Sequence, residues 1–285
     1  MLSIVEGIIK ETLGIKADRV IPLSGGSINA AYCVSHSNSK WFIKINNKEK
    51  YPGMFEAETK GLELLKKSEF IIPEIILFGN HLEHSYLLLD FIETRSSDLL
   101  SWNIFGNKLA KMHKLSNELY GLEENNYIGS LIQKNNQGKT WNEFYANQRI
   151  LALSESAFNL GLLSNGEIKS AEMLCNKLED LLPEEPPALL HGDLWQGNLL
   201  CNHDTHPVLI DPAVYYGHRE MDLAMLFLFG SIPDEALFEY DQIYPLEKEW
   251  EKRMDLHQLY PLLVHLILFG MGYHGSVSSI LKKYG

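Results

Sequence analysis

At 285 residues, 45% of them hydrophobic and 22% charged, the chain has room for two packed halves and the composition of a folded protein, not a disordered one. A formal net charge of −12 excludes a broad nucleic-acid surface, which needs Lys and Arg against phosphates, but not a nucleotide site built from a few local donors. Cys33, Cys175 and Cys201 are too few and too scattered for a zinc ribbon or a disulfide framework.

Residues 3 to 14 have the periodicity of an amphipathic helix stopped at Gly14, without the basic-then-apolar order of a signal peptide. Arg19 to Leu23 reads as a strand, followed by the turn Ser24-Gly25-Gly26-Ser27 and a second strand over Asn29 to Ser35. A polar hairpin then leads to Trp41-Phe42-Ile43-Lys44-Ile45, aromatic and β-branched with a lone Lys near its end. Phe55 to Lys67 reads as a helix, and Ile71 to Gly79 and Ser85 to Phe91 as two more strands. The expectation is a five-stranded antiparallel sheet with one helix inserted after its third strand, ending near residue 92.

Beyond it the pattern turns helical, over Ser101 to Leu115, Trp141 to Leu160 and Ile168 to Leu181. After the break Pro183-Glu184-Glu185-Pro186-Pro187 comes a strand–loop–strand unit, Ala188 to Leu200 and Val208 to Asp211, and the tail from Met221 is helical again. The apolar run from Tyr260 to Tyr273 carries His265 and falls short of the roughly 20 residues a membrane span needs. The layout is α+β and bilobal, residues 1–92 forming a small β-rich lobe and 93–285 a larger helical one, in a cytoplasmic protein that binds neither nucleic acid nor membrane.

The chemistry lies in His191-Gly192-Asp193-Leu194-Trp195-Gln196-Gly197-Asn198, followed by a strand ending in Asp211. Phosphoryl transfer needs a carboxylate at the attacking hydroxyl and oxygen ligands for magnesium. Asp193 supplies the first, and Asn198 and Asp211 the second. The same residues could merely be a hydrogen-bonded turn, but the upstream partners argue against that. Lys44 has apolar flanks, so its ammonium needs a partner. Glu58 is preferred over Glu56 for that role, because its spacing to Leu62 and Leu65 puts it on the inward face. His191 and Asp222 are expected to brace the loop. Gly138-Lys139-Thr140 lacks the upstream Gly and strand of a phosphate loop and reads as a helix start. His81-x-x-His84 and His203-x-x-His206 lie in turns without further ligands.

This order of Lys, Glu, His-x-Asp, Asn and Asp matches the kinase arrangement. Only ten residues separate Asp211 from Asp222 with no Ala-Pro-Glu triplet after them, too few for a protein-substrate platform, so a small molecule is the expected acceptor. Several stretches resemble the fructosamine kinase (ketosamine kinase) family. They are Gly25-Gly26-Ser27-Ile28-Asn29, Phe42 to Asn46, Phe55 to Glu58, Trp141-x-x-Phe144-Tyr145-x-x-x-Arg149, the Trp195 loop, Asp211-Pro212-Ala213-x-Tyr215-Tyr216-Gly217-x-Arg219-Glu220-x-Asp222, and Phe269 to Tyr273.

The resemblance implies ATP and Mg2+ as cofactors. It places Gly25, Gly26, Ser27, Asn29, Lys44, Glu58 and Asp90 at ATP, Asn198 and Asp211 at the metal, Asp193 as the catalytic residue, and Trp195, Tyr215, His218 and Glu220 at the substrate. The implied acceptor is a free or protein-attached ketoamine, the adduct of a sugar with an amine, and the implied assembly is a monomer or weak homodimer. Asn29-Ala30-Ala31 departs from the family in lacking an acidic residue before the second Ala, and His218 stands where the family varies. The cysteine that some relatives carry in the glycine turn is missing, so redox control is not expected. A kinase acting on an aminoglycoside, choline or a thio-sugar is the alternative.

Overall fold

The computed structural model describes residues 1–23 and 28–285. The glycine turn expected at Gly25, Gly26 and Ser27 lies outside the described residues. Helix α1 (Leu2–Leu13) buries Val5, Ile8 and Ile9, spaced three and one apart along one stripe, and ends where Gly14 turns left-handed at φ 69° and donates to the Lys10 carbonyl. Strands β1 (Arg19–Leu23), β2 (Ala30–His36) and β3 (Ser39–Asn47), then α2 (Met54–Leu65), β4 (Ile75–His81) and β5 (His84–Asp90), complete the first half. The sheet is antiparallel in the order β1-β2-β3-β5-β4.

Strand alternation decides which residue faces which helix. Ile43, Ile45, Tyr86 and Leu88 point to the face covered by α1. Phe42, Leu87 and Leu89 point to the other face, where Phe55, Leu62 and Leu65 of α2 pack. Lys44, one residue from Ile43 and Ile45, therefore faces α2.

The second half begins with β6 (Thr94–Arg95) and with α3 (Leu99–His113), whose N-terminus carries a capping box. The Asp98 carboxylate accepts the Ser101 N–H at 2.9 Å and the Ser101 hydroxyl accepts the Asp98 N–H at 2.9 Å. A hairpin follows, β7 (Asn126–Ile128) and β8 (Leu131–Gln133). The helix expected over 141–160 is one rod in three parts: α4 (Trp141–Phe144), a π-helical stretch (Tyr145–Leu151) and α5 (Ala152–Asn159). The next expected helix divides at Asn176 into α6 (Asn165–Cys175) and the short α7 (Leu178–Leu181).

The strand–loop–strand unit has more parts than expected. Strand β9 (Ala188–Leu190) precedes the loop and a 3-10 turn (Gln196–Asn198), and β10 (Leu199–Asn202), β11 (Pro207–Leu209) and β12 (Tyr215–Gly217) come after. β9 pairs with β12, while β10 pairs with β11 and β6, so the loop is strung between two small antiparallel sheets. Helices α8 (Glu220–Leu228), α9 (Asp234–Ile243), α10 (Trp250–Phe269) and α11 (His274–Tyr284) close the fold. No helix among the described residues is long and apolar enough to cross a membrane.

Candidate active site

The loop after β9 is held from below by Asp222, a buried carboxylate on the first turn of α8. Its Oδ2 accepts the His191 N–H at 2.8 Å and its Oδ1 the Gly192 N–H at 3.0 Å. Gly192 sits at φ 81°, and a Cβ there would stand 2.0 Å from the Ala213 carbonyl oxygen, so only glycine fits. The buried His191 ring bridges the loop's two ends. Its Nε2 donates to the Ile210 carbonyl at 2.9 Å, leaving Nδ1 to accept the Asp193 N–H at 3.3 Å. Burial pulls this imidazole below its ordinary value against the pull of Asp222, in keeping with a neutral ring carrying its proton on Nε2.

Asp193 emerges at the end of this brace. Asn198 donates through Nδ2 to the Asp193 carbonyl at 2.9 Å and to its Oδ2 at 3.0 Å. Burial pushes the Asp193 carboxyl up to about 7; the Asn198 hydrogen bond opposes this, and the Asp211 and Asp222 charges add to it. The Ile210 N–H donates to the Asn198 carbonyl at 3.1 Å, which brings Asp211 beside Asn198. Asp211 is left-handed at φ 56°, a strained conformation for a non-glycine residue, and its side chain stays 41% exposed.

Across from it Lys44 reaches out of β3. Its Nζ donates to Glu58 Oε1 at 2.8 Å and directly to Asp211 Oδ1. Burial lowers the Lys44 pKa, but the Asp211 and Glu58 carboxylates outweigh it and hold the ammonium charged, above its usual range. Glu56 points to solvent and pairs with Lys60 at 3.1 Å. Residues 44, 58, 193, 198 and 211 thus form one continuous cluster.

A hollow of about 370 Å³ lined by Tyr120, Trp141, Lys139 and Glu185 shares no residue with the cluster. The cluster is held together by the ion pairs and hydrogen bonds above, apart from that hollow.

The family model for fructosamine kinase matches residues 1–284. This chain belongs to the fructosamine kinase family. Over 273 residues it is 37% identical to a "probable ketoamine kinase" of Enterococcus faecium, covering 93% of this chain and 95% of that protein. It is 35% identical over 267 residues to a "probable ketoamine kinase" of Synechocystis, covering 92% and 88%. A provisionally assigned fructosamine-3-kinase from Thermobifida fusca superposes with a TM-score of 0.88 at 35% identity, over 98% of this chain and 97% of that one. An aminoglycoside phosphotransferase superposes over all of both chains with a TM-score of 0.65 at 14% identity, which shows the protein-kinase-like fold alone. The chain is therefore a kinase, a phosphotransferase.

Three of the residues expected at the substrate of a fructosamine kinase are buried. Tyr215 is 1% exposed, its ring 4.2 Å from the Arg149 guanidinium and stacked on Phe144 at 5.8 Å. His218 is fully buried, stacked on His257 at 4.9 Å, and burial, with His257 beside it, pushes it down to about 3. Glu220 is 1% exposed; burial opposes its charge, but His257 and Arg253 hold its carboxyl down at about 2. All three are packed among side chains of the helical half. Ligand atoms of His218, Glu220 and His257 come within 4.8 Å of one another, yet Arg253 donates to both Glu220 oxygens and already neutralises the carboxylate a cation would need.

Trp195, Asn29 and Asp90 are only partly buried. Trp195 is half-buried, its ring lying over Gly197, where a Cβ would come within 2.2 Å of it. Asn29 accepts from Asn46 Nδ2 at 3.2 Å. Asp90 accepts the Glu74 N–H at 2.5 Å, at the end of the sheet. Sequence reasoning missed Asn46 and also His113, whose Nε2 stands 3.3 Å from Asp222 while its Nδ1 meets the Tyr240 hydroxyl at 2.8 Å. The signal available for His113 was a polar residue on the inward stripe of α3, four residues after Leu109.

Proposed function

We propose that this chain transfers the γ-phosphoryl group of ATP to a sugar hydroxyl of a ketoamine, a deglycation reaction in which the phosphorylated sugar afterwards leaves the amine. The observation that supports it most directly is the convergence of Lys44, Glu58, Asp193, Asn198 and Asp211 in a member of the fructosamine kinase family.

Each residue has a role its geometry suits. Lys44, oriented by Glu58, presents a fixed cation to the nucleotide phosphates. The hydroxyl oxygen of the sugar bonds to the γ-phosphorus as the bond to the leaving ADP oxygen breaks. The hydroxyl proton passes to the Asp193 carboxylate, whose raised affinity for a proton, at about 7, fits a base working near neutrality. Asn198 keeps Asp193 aimed through Nδ2, and its side-chain oxygen has no hydrogen-bond partner among the described residues. That oxygen and the half-exposed Asp211 carboxylate are hard donors of the kind magnesium takes, so Asn198 and Asp211 would hold it. Magnesium bound there would offset the negative charge on the phosphates. Trp195, half-exposed beside Asp193, is placed to meet the apolar face of the sugar.

The test is ATP-dependent ADP release with fructosyl-, ribulosyl- and erythrulosyl-lysine, beside kanamycin and choline, for the wild type and Asp193→Asn. Turnover stimulated by a ketoamine and reduced by at least about 100-fold in the variant is expected. Turnover on kanamycin or choline alone would leave a kinase and remove the ketoamine.

A further inference from the structure

Buried amides line one face of the hairpin β7–β8. Asn126 and Gln133 lie opposite each other in its register, so their side chains stand together on that face. Gln133 Nε2 donates to the Ala213 carbonyl at 2.9 Å and to Asn126 Oδ1 at 2.7 Å. Asn126 Nδ2 donates to the Val214 carbonyl at 2.8 Å, and its oxygen also accepts from Asn135 Nδ2 at 2.9 Å. The Tyr260 hydroxyl donates to Gln133 Oε1 at 2.6 Å. The two backbone carbonyls can only accept, so neither Gln133 nor Asn126 can flip, and every other bond then sets a donor against an acceptor. Burial pushes the Tyr260 phenol up against the pull of Arg149, which keeps it a donor.

Arg149 anchors the far end of these amides. Its Nη2 donates to Asn135 Oδ1 at 2.8 Å, and its Nη1 to the Lys134 and Gln148 carbonyls. The side chain is fully buried, and no carboxylate among the described residues pairs with it. The rings of Tyr215, Phe144 and Tyr260 surround the guanidinium instead, at 4.2, 4.7 and 5.0 Å. A cation buried without a carboxylate is costly to keep. Arg149 also sits in the π-helical stretch Tyr145–Leu151, a distortion frequent at functional sites.

The two carbonyls held by the amides belong to the second and third residues after Asp211. A left-handed non-glycine residue such as Asp211 persists only where the backbone around it is over-determined. On the way in, the Ile210 N–H donates to the Asn198 carbonyl and the Ile210 carbonyl accepts from His191. On the way out, the Ala213 N–H donates to the His191 carbonyl at 2.9 Å, and Gln133 and Asn126 take the next two carbonyls. Val214 also packs against Gly61 of α2, where a Cβ would stand 3.3 Å from its Cγ2, one turn beyond Glu58. We infer that Gln133 and Asn126, fixed by Tyr260 and Arg149 behind them, are positioning residues that hold Asp211 in the geometry that takes magnesium. The inference rests on the metal role given to Asp211 above, and none of the four touches a reacting atom.

The test is titration calorimetry of ADP on the full chain, in EDTA and in excess Mg2+, which gives the gain in affinity that the metal supplies. Gln133→Met keeps the side-chain length and removes the donor to Ala213, while Tyr260→Phe removes only the hydroxyl that orients Gln133. Losing a group that orients a metal ligand lowers metal affinity about 10- to 100-fold. The gain should therefore fall about 10-fold in Gln133→Met and about threefold in Tyr260→Phe, with affinity in EDTA within about twofold of wild type. Val277→Ala, a cavity in the buried face of α11, should lower the melting temperature and leave the gain unchanged. An unchanged gain in Tyr260→Phe would overturn the inference, even where Gln133→Met does not fold. So would an equal loss of gain in Val277→Ala, which would make the effect one of stability alone. No gain from Mg2+ in the wild type would instead take the metal from Asp211, and the inference with it.

Discussion

Replacing Asp222 by Asn changes no shape and tests whether the loop brace depends on a carboxylate. Asp222 accepts one backbone N–H on each oxygen, from His191 and from Gly192, in a site with no access to water. An amide has one accepting oxygen, so either flip turns its NH2 toward one of those donors. A hydrogen bond to a charged group contributes about 1.5–3 kcal/mol, and a buried donor left unpaired costs about 1–3 kcal/mol. The two together put the loss near 3 kcal/mol, a large part of the roughly 5–15 kcal/mol that holds a typical domain together. The variant should fold, with a lower urea midpoint. Turnover should fall further than stability suggests, since a shift of about 1 Å at Asp193 is enough for a loss on the order of 100-fold. Urea unfolding and ketoamine-stimulated ADP release, measured on one preparation, check both. Stability within about 0.5 kcal/mol of wild type together with full turnover would refute the reasoning, because the two N–H groups would then be satisfied without the charge.

Glu58→Gln should lower kcat/KM for ATP about 10- to 100-fold through the lost charge on Lys44, while Glu56→Gln, altering only a solvent-exposed pair, should leave it within twofold; steady-state kinetics in ATP separates them. His218 governs part of the acid sensitivity. Its folded pKa of about 3 lies below the ordinary value near 6.5, so the unfolded chain takes up a proton first and stability falls as pH drops through that interval. The slope rises from half of about 1.4 kcal/mol per pH unit at pH 6.5 toward the full value, so between pH 6.5 and 5 His218→Gln should lose about 1.6 kcal/mol less than wild type in urea titrations. Equal losses would mean that His218 is not buried in its neutral form. Glu220, held at about 2 against a usual value of 4.5, adds its own loss only below pH 4.5, outside that interval.

Much of the site was legible because its chemistry is local in the chain. Asp193 and Asn198 share one loop, and the alternation Phe42-Ile43-Lys44-Ile45 by itself turns Lys44 away from the face of Ile43 and Ile45. Helical periodicity likewise distinguishes Glu58 from Glu56 on α2. The five-stranded sheet and its inserted helix follow from strand and turn signals of the same short range.

Proximity in sequence did not show the surroundings of Tyr215, His218 and Glu220. They stand within ten residues of Asp211, but β12 and the start of α8 turn inward there and pack on Arg149, Trp141 and Arg253, groups contributed by helices far along the chain. His113 could not be tied to Asp222 for the same reason, since 109 residues separate them. The rings around His265 are of this kind too: Phe229 at the end of α8, Phe269 on α10 and Tyr273 in the turn after it come together only in the tertiary structure. Residue type and local period determine which face a side chain takes on its own element. Which element covers that face, and whether the side chain ends in solvent or in a core, is decided by packing between distant segments, and only the tertiary structure holds it.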